Sequence, residues 1–170
     1  MIQIRDKKDC CGCNACGDVC PKGCITFKAD NEGFWYPEVN IETCIDCHLC
    51  ERVCPILQPA DKVARYDEPR VFAAYSKDDK IRTDSTSGGI HSMLANAMYA
   101  KNAYVGGAVY NSDHTVSQIV DSNPKRLEEI RSSKYLQSNA EGVYKEIKLL
   151  LKGGKEVFFC GCPCQVQALY

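Results

Sequence analysis

The sequence lacks the features that would direct it to a membrane, to export or to nucleic acid. No apolar run reaches the length of a membrane span, and residues 1–8 alternate apolar and charged side chains instead of forming the apolar core of a signal peptide. Basic residues do not gather in one run, and 21 Lys and Arg are balanced by 22 Asp and Glu. We therefore expect a cytoplasmic protein with no membrane span and no nucleic-acid partner.

Cysteine is absent from the whole middle of the chain, between Cys54 and Cys160. Ten of the 13 cysteines lie between Cys10 and Cys54, and the other three lie between Cys160 and Cys164. Without an export signal the thiols stay reduced, and crowded reduced thiols indicate metal binding more often than disulfides. The distribution predicts a metal-binding N-terminal part followed by a part of a different kind.

The N-terminal cysteines repeat one spacing, with the first cysteines, Cys10 and Cys44, 34 positions apart. Each copy reads CxxCxxCxxxC followed by proline, a spacing typical of [4Fe-4S] clusters. Two-residue gaps let three thiolates of one loop reach three iron corners, while the fourth corner is filled from elsewhere. Pro21 and Pro55 suit the point where the chain turns away, because a fixed φ disfavours a continuing helix.

The repeat resembles that of two-cluster ferredoxins, in which the last cysteine of each copy binds the other copy's cluster. By that resemblance, cluster one is bound by Cys10, Cys13, Cys16 and Cys54, and cluster two by Cys44, Cys47, Cys50 and Cys20. Structural zinc is the alternative for paired cysteines, although zinc sites usually use two pairs. Cys11 and Cys24 are left over, and we interpret them as buried packing beside the clusters. His48 either tunes a cluster by hydrogen bonding or faces solvent.

Between the two copies the sequence predicts a β-hairpin. Residues 25–29 and 34–39 are rich in β-forming side chains and are separated by the turn-forming sequence DNEG at residues 30–33. Apolar side chains there would shield the clusters from water, which shifts reduction potentials.

After Cys54, residues 55–69 carry three prolines and mixed charges, which indicates a linker with a domain boundary near residue 65. We predict a two-[4Fe-4S] ferredoxin-type domain at residues 1–60, a linker at 61–69 and a second domain at 70–170. In that second domain we predict strands at 71–75, 103–110, 115–120 and 156–159, and helices at 90–100, 124–131, 141–152 and 165–170. The predicted fold class is α+β, a dicluster ferredoxin-like module followed by an α/β domain.

Three features of the second domain each allow two or more interpretations. Ser87-Gly88-Gly89 at a helix start could hold a phosphate on free backbone amides, or Ser87 could simply cap the helix. Arg131 and Lys134 could bind an anionic cofactor, or belong to a solvated loop. The sequence CGCPC at residues 160–164 could be redox-active, a third metal site or a tight turn.

Taken in order, the motifs resemble one family. After the dicluster segment come TSGGI at residues 86–90, VGGAVY at 105–110, SKYLQS at 133–138 and GCPCQ at 161–165. This series is similar to that of the family of coenzyme F420 hydrogenase/dehydrogenase beta subunits and covers essentially the whole chain. The family usually has a small hydroxylated residue where Cys162 stands, and Cys160 is also unusual, so Cys164 alone of the three matches the family pattern.

The resemblance implies a flavin-dependent iron-sulfur oxidoreductase. Such proteins carry FAD and pass electrons between a two-electron carrier, such as the deazaflavin F420, and one-electron partners. The implied partner is thus a redox protein or a small two-electron carrier, and the candidate flavin residues are Thr86, Ser87, Gly88, Gly89, Lys134 and Tyr135. The alternative is a non-enzymatic dicluster electron carrier whose second domain docks a partner. Because the chain ends at Tyr170, short of the family's usual length, we expect the flavin-associated domain to be incomplete and to bind FAD weakly or not at all.

Overall fold

The computed structural model describes residues 1–58, 68 and 70–170 of the chain. It confirms the α+β fold class. The linker predicted at residues 61–69 lies outside the described residues, apart from Glu68. The helices are α1 (Ala15–Val19), α2 (Leu49–Arg52), α3 (Asp79–Thr83), α4 (Ile90–Tyr99), α5 (Leu127–Ile130), α6 (Val143–Lys152) and α7 (Pro163–Gln167), and the strands are β1 (Ile25–Ala29), β2 (Trp35–Val39), β3 (Tyr104–Tyr110), β4 (Val116–Asp121), β5 (Ser138–Asn139) and β6 (Val157–Phe159).

Residues 1–58, here called the head, pack α1 and α2 beside a β-hairpin. β1 and β2 are antiparallel, with Ile25 opposite Val39 and Ala29 opposite Trp35. Gly33 has φ +86° in the connecting turn, a conformation that glycine adopts without steric cost. The predicted hairpin is confirmed. The core of the head is formed by Ile2, Cys16, Cys24, Ile25, Cys50 and Cys54.

Residues 70–170, here called the body, contain a four-stranded sheet in the order β5-β4-β3-β6. β3 and β4 are antiparallel, whereas β6 runs parallel to β3 and β5 parallel to β4. Neighbouring side chains of a strand point to opposite faces. Val105 and Val109 of β3 therefore pack on one face with α4 and α5, while Val120 of β4 packs on the other face with α6 and with Ala15 of the head.

Most predicted elements of the body are confirmed, with ends shifted by one to three residues. The predicted strand at residues 71–75 is wrong, because this segment pairs with no strand among the described residues and leaves Val71, Phe72 and Tyr75 exposed. The helix predicted at 165–170 instead begins at Pro163, which suits the first helical position, and ends at Gln167. Among the described residues no helix is long and apolar enough to cross a membrane.

Candidate cluster sites and an adjoining cleft

The structure brings the predicted cluster-one ligands around one cavity. Cys10, Cys13, Cys16 and Cys54 all line it. Cys54 reaches this cavity from the second repeat, as the cross-ligation predicted from ferredoxins requires.

The predicted cluster-two ligands surround a separate cavity of similar size. Cys20, Cys44, Cys47 and Cys50 line it together with Cys24, and here Cys20 comes from the first repeat. Among the described residues no three His, Cys, Asp or Glu side chains lie close enough together to bind a single metal ion. Four thiols around a volume are what a cubane needs, because each cysteine binds a different iron. The donor sets of both cavities thus fit [4Fe-4S] clusters.

The two repeats also share a backbone conformation. In the first, Gly12 and Asn14 have φ of +61° and +65°; in the second, Asp46 and His48, 34 positions later, have φ of +48° and +59°. These left-handed positions bend each loop so that its cysteines face inward, and Asn, Asp and His tolerate that conformation better than most residues. The side chain of His48 is 52 % exposed, and its Nδ1 lies 3.0 Å from Glu51 Oε2.

The two extra cysteines differ from each other. Cys24 is buried, as predicted, and its Sγ lies 3.3 Å from that of Cys20. Cys11 is exposed, so the prediction of buried packing is wrong for it, although it lines the cluster-one cavity. Burial raises the pKa of Cys164 in the CGCPC segment to about 12, and the nearby thiols of Cys11 and Cys13 act in the same direction.

Burial raises the pKa of four of the eight ligand thiols, those of Cys10, Cys13, Cys16 and Cys50, and so favours their protonated form as long as no metal binds them. Burial raises the pKa of Cys13 to about 11, and burial together with neighbouring thiols raises the pKa of Cys16 further. Iron binds the thiolate, so cluster assembly releases protons and its binding energy contributes to folding.

The head and the body are joined by polar contacts at the first repeat. The carboxylate of buried Asp18 accepts hydrogen bonds from the amides of Gly142 (2.7 Å) and Tyr144 (3.0 Å) at the start of α6. The Tyr144 hydroxyl donates to the Cys13 carbonyl (2.8 Å), and the Ala140 amide donates to Asn14 Oδ1 (2.9 Å). A residue of α1 therefore caps a helix of the body, where a negative charge is favoured by the helix dipole.

The predicted flavin motif lines a cleft of about 220 Å³ in the body. Thr86, Ser87, Gly88 and Gly89 meet Arg131 there. Gly89 has φ +79° and forms the N-cap of α4 without a side-chain hydrogen bond, so the interpretation of Ser87 as the cap is wrong. Among the described residues no side chain accepts a hydrogen bond from the first amides of α4, which lie at the wall of the cleft.

The other two candidate flavin residues are placed differently. Lys134 Nζ donates to the carbonyls of Ile130 (3.0 Å), Arg131 (2.8 Å) and Ser132 (3.0 Å), which places this cation at the C-terminus of α5. Tyr135 is 92 % exposed and does not line the cleft.

One chain segment runs from the cleft to the cluster-one loop. Arg131 lines the cleft, and six residues later Gln137 lies against the first repeat. Gln137 Oε1 accepts a hydrogen bond from the Trp35 amide (3.2 Å). Gln137 Nε2 lies so close to Gly12 that a Cβ added to that glycine would be only 2.1 Å from it. Residues 131–137, which end within the family-like SKYLQS motif, thus connect the two candidate sites, a role that no local pattern predicts.

Comparison with known proteins supports the cluster sites of the head. Residues 9–56 match the family of 4Fe-4S dicluster domains. The chain is 24 % identical over 177 residues, 99 % of its length, to a subunit of the F(420)H(2) dehydrogenase of Methanosarcina mazei, and covers 49 % of that protein. It is 26 % identical over 173 residues to the coenzyme F420-dependent sulfite reductase of Methanocaldococcus jannaschii, covering 26 % of it. An uncharacterized ferredoxin of the same organism is 40 % identical over 52 residues, which are 31 % of this chain and 66 % of that ferredoxin.

These matches define an iron-sulfur protein of the electron-transfer class, with a 4Fe-4S dicluster domain at its N-terminus. The predicted resemblance is confirmed, because the chain is similar over 99 % of its length to two F420-related proteins. It spans about half the length of the first of these relatives.

Proposed function

We propose that this protein passes electrons between a two-electron carrier, acting through a flavin such as FAD at the cleft, and one-electron partners, through two [4Fe-4S] clusters in the head. The observation that carries the proposal is the segment from Arg131 to Gln137, which touches the cleft at one end and the cluster-one loop at the other. A cofactor in the cleft and a cluster in the head would then be held by one continuous piece of chain.

The flavin and the clusters would have different roles because they carry different numbers of electrons. A flavin takes up two electrons as a hydride and can release them singly, whereas each cluster accepts one electron. Cys10, Cys13, Cys16 and Cys54 would hold the cluster on the side of the body, and Cys20, Cys44, Cys47 and Cys50 the other. In the cleft, the guanidinium of Arg131 and the backbone amides at the start of α4 would bind the anionic part of the flavin.

Arg131 is the cleft residue best placed to test the proposal. We expect anaerobically reconstituted protein to hold about eight irons and eight sulfides, as two cubanes require. In an anaerobic FAD titration followed by flavin fluorescence, Arg131→Glu should weaken binding about tenfold or more, because reversal replaces attraction by repulsion at the phosphates. Lys101→Glu, which reverses an exposed charge in the turn after α4, is the matched control and should bind FAD like the unaltered protein.

Two outcomes would count against the proposal. If neither this chain nor a version extended to the length of its relatives binds FAD or an F420-type carrier while both clusters are held, the alternative is favoured, a dicluster electron carrier whose body docks a partner. Equal FAD affinity of the unaltered and Arg131→Glu proteins would place the flavin outside this cleft.

A further inference from the structure

A large groove lies outside both candidate sites. It is an open groove of about 580 Å³ between the head and α6, here called the α6 groove. On the head side it is lined by Ala15 and Val19 of α1 and by Val53. These residues directly precede Cys16, Cys20 and Cys54, three of the predicted cluster ligands. The groove therefore lies immediately behind both cluster loops.

The groove has an apolar floor that is open to solvent. Leu151 lines it and is 56 % exposed, and Val19, Val53 and Ala168 extend the apolar lining. Large apolar side chains gathered in one concave patch mark binding surfaces more often than isolated exposed residues do. The patch continues inward to Ile147, which is buried in the core shared by head and body.

One rim of the groove carries charge of a single sign. Lys145, Lys148 and Lys152 all line it, and their spacing of three and four residues places them along one face of α6. None of them forms an ion pair with the described part of the chain. The acidic residue of the lining, Asp18, is buried and its carboxylate is bound to the amides of α6. The groove thus presents three available cations to an incoming molecule.

We propose that the α6 groove docks an acidic one-electron carrier protein of the ferredoxin type. An apolar centre with a charged rim is the usual anatomy of a protein interface, and the lysines select a partner with a negative surface. Docking here would bring the partner against α1, which carries Cys16 and leads into Cys20. The proposal rests on the proposed function, because it names the one-electron partner of the same clusters.

The test reverses the rim charges and measures electron transfer. Lys145→Glu, Lys148→Glu and Lys152→Glu are combined in one variant, and Lys77→Glu, Lys101→Glu and Lys125→Glu, three exposed lysines away from the groove, form the control. Second-order rate constants with a small acidic ferredoxin are measured by anaerobic stopped flow at several salt concentrations. We expect the groove variant to react about tenfold or more slowly at low salt, with the difference shrinking as salt rises, and the control to react within about twofold of the unaltered protein.

Iron and sulfide content and the rate of reduction by dithionite, measured on all three proteins, separate the two proposals. If the unaltered protein holds no clusters, the proposed function itself fails. If all three proteins hold their clusters but react equally with ferredoxin, or if none reacts with it, the groove proposal is overturned. It is also overturned if the groove variant loses its reaction with an F420-type carrier while it keeps the reaction with ferredoxin, because the groove would then be a small-molecule site. A combined variant that lost its clusters would be replaced by Lys148→Glu alone, for which we expect a smaller decrease in the same direction.

Discussion

The two cysteine repeats have the same backbone but different surroundings. Asn14 and His48 occupy equivalent left-handed positions, yet Asn14 is 2 % exposed and bound to the body, whereas His48 faces solvent. Asp18 and Arg52 are also equivalent, 34 positions apart; Asp18 is buried as the cap of α6, whereas Arg52 is exposed. The loop geometry needed for a cluster therefore leaves the residues between the cysteines free to take on a second role.

This difference gives the first repeat a structural task that the second lacks. Three side chains of the first repeat and α1, those of Asn14, Ala15 and Asp18, are buried against the body. The clusters are thus not equivalent in their coupling to the cleft, since cluster one is adjacent to the segment that leads there. Three pairs of substitutions test this asymmetry.

Replacing the fourth cysteine of each repeat with alanine should have the largest effect. Because Cys54 lines the cavity of the first repeat, Cys54→Ala should destroy cluster one and leave cluster two, and Cys20→Ala should do the reverse. Iron should fall from about eight to about four per chain in each variant, with the two remaining clusters giving different electron paramagnetic resonance spectra. Cys24→Ala removes a thiol 3.3 Å from Cys20 and is the control, expected to keep both clusters. If Cys54→Ala instead lost cluster two and Cys20→Ala lost cluster one, the fourth cysteine of each repeat would bind the cluster of its own repeat.

Breaking the joint between head and body should have the next largest effect. Asp18→Ala removes the cap of α6 and leaves buried amides without an acceptor, a change expected to cost about 2–4 kcal/mol of unfolding free energy. The equivalent change in the second repeat, Arg52→Ala, removes an exposed side chain and should cost at most about 0.5 kcal/mol. Anaerobic urea titration, followed by circular dichroism and cluster absorbance, measures both. Equal costs would mean that the repeats are equally attached to the body.

The asymmetry could not be read from the sequence, although the repeats themselves could. Cysteine spacing is a local pattern, as is the apolar alternation that predicts the β1–β2 hairpin, β3 and α6. The contact between Asp18 and Tyr144 joins residues 126 positions apart, and no periodicity in either segment signals it. A carboxylate in α1 looks like any solvated charge until its partner helix is known.

The incorrect sequence predictions for the body have a related cause. The composition of residues 71–75 favours a strand, but a strand also needs a partner, and the edge of the sheet is occupied by β6 instead. Lys134 is a reasonable anion ligand by charge, whereas three-dimensional placement puts its ammonium at the end of α5. Arg131, which the sequence indicates only as part of a possible anion site, is the basic residue that does line the cleft.

The smallest expected difference between the two repeats is the difference in stability between Asn14→Ala and His48→Ala. Both changes place alanine in a left-handed conformation, which costs each variant about 1–2 kcal/mol. Asn14→Ala in addition leaves the buried amide of Ala140 without its acceptor at 2.9 Å, whereas His48→Ala removes exposed contacts that contribute little. We therefore expect Asn14→Ala to be less stable than His48→Ala by about 1–3 kcal/mol, the cost of one buried unsatisfied donor. Anaerobic urea titration of both variants gives the difference, and hydrogen exchange at the Ala140 amide locates it, since that amide should exchange faster in Asn14→Ala alone. If the two variants unfold at the same urea concentration and Ala140 stays equally protected, the first repeat does not hold the body through Asn14, and the joint between them depends on Asp18 and Tyr144.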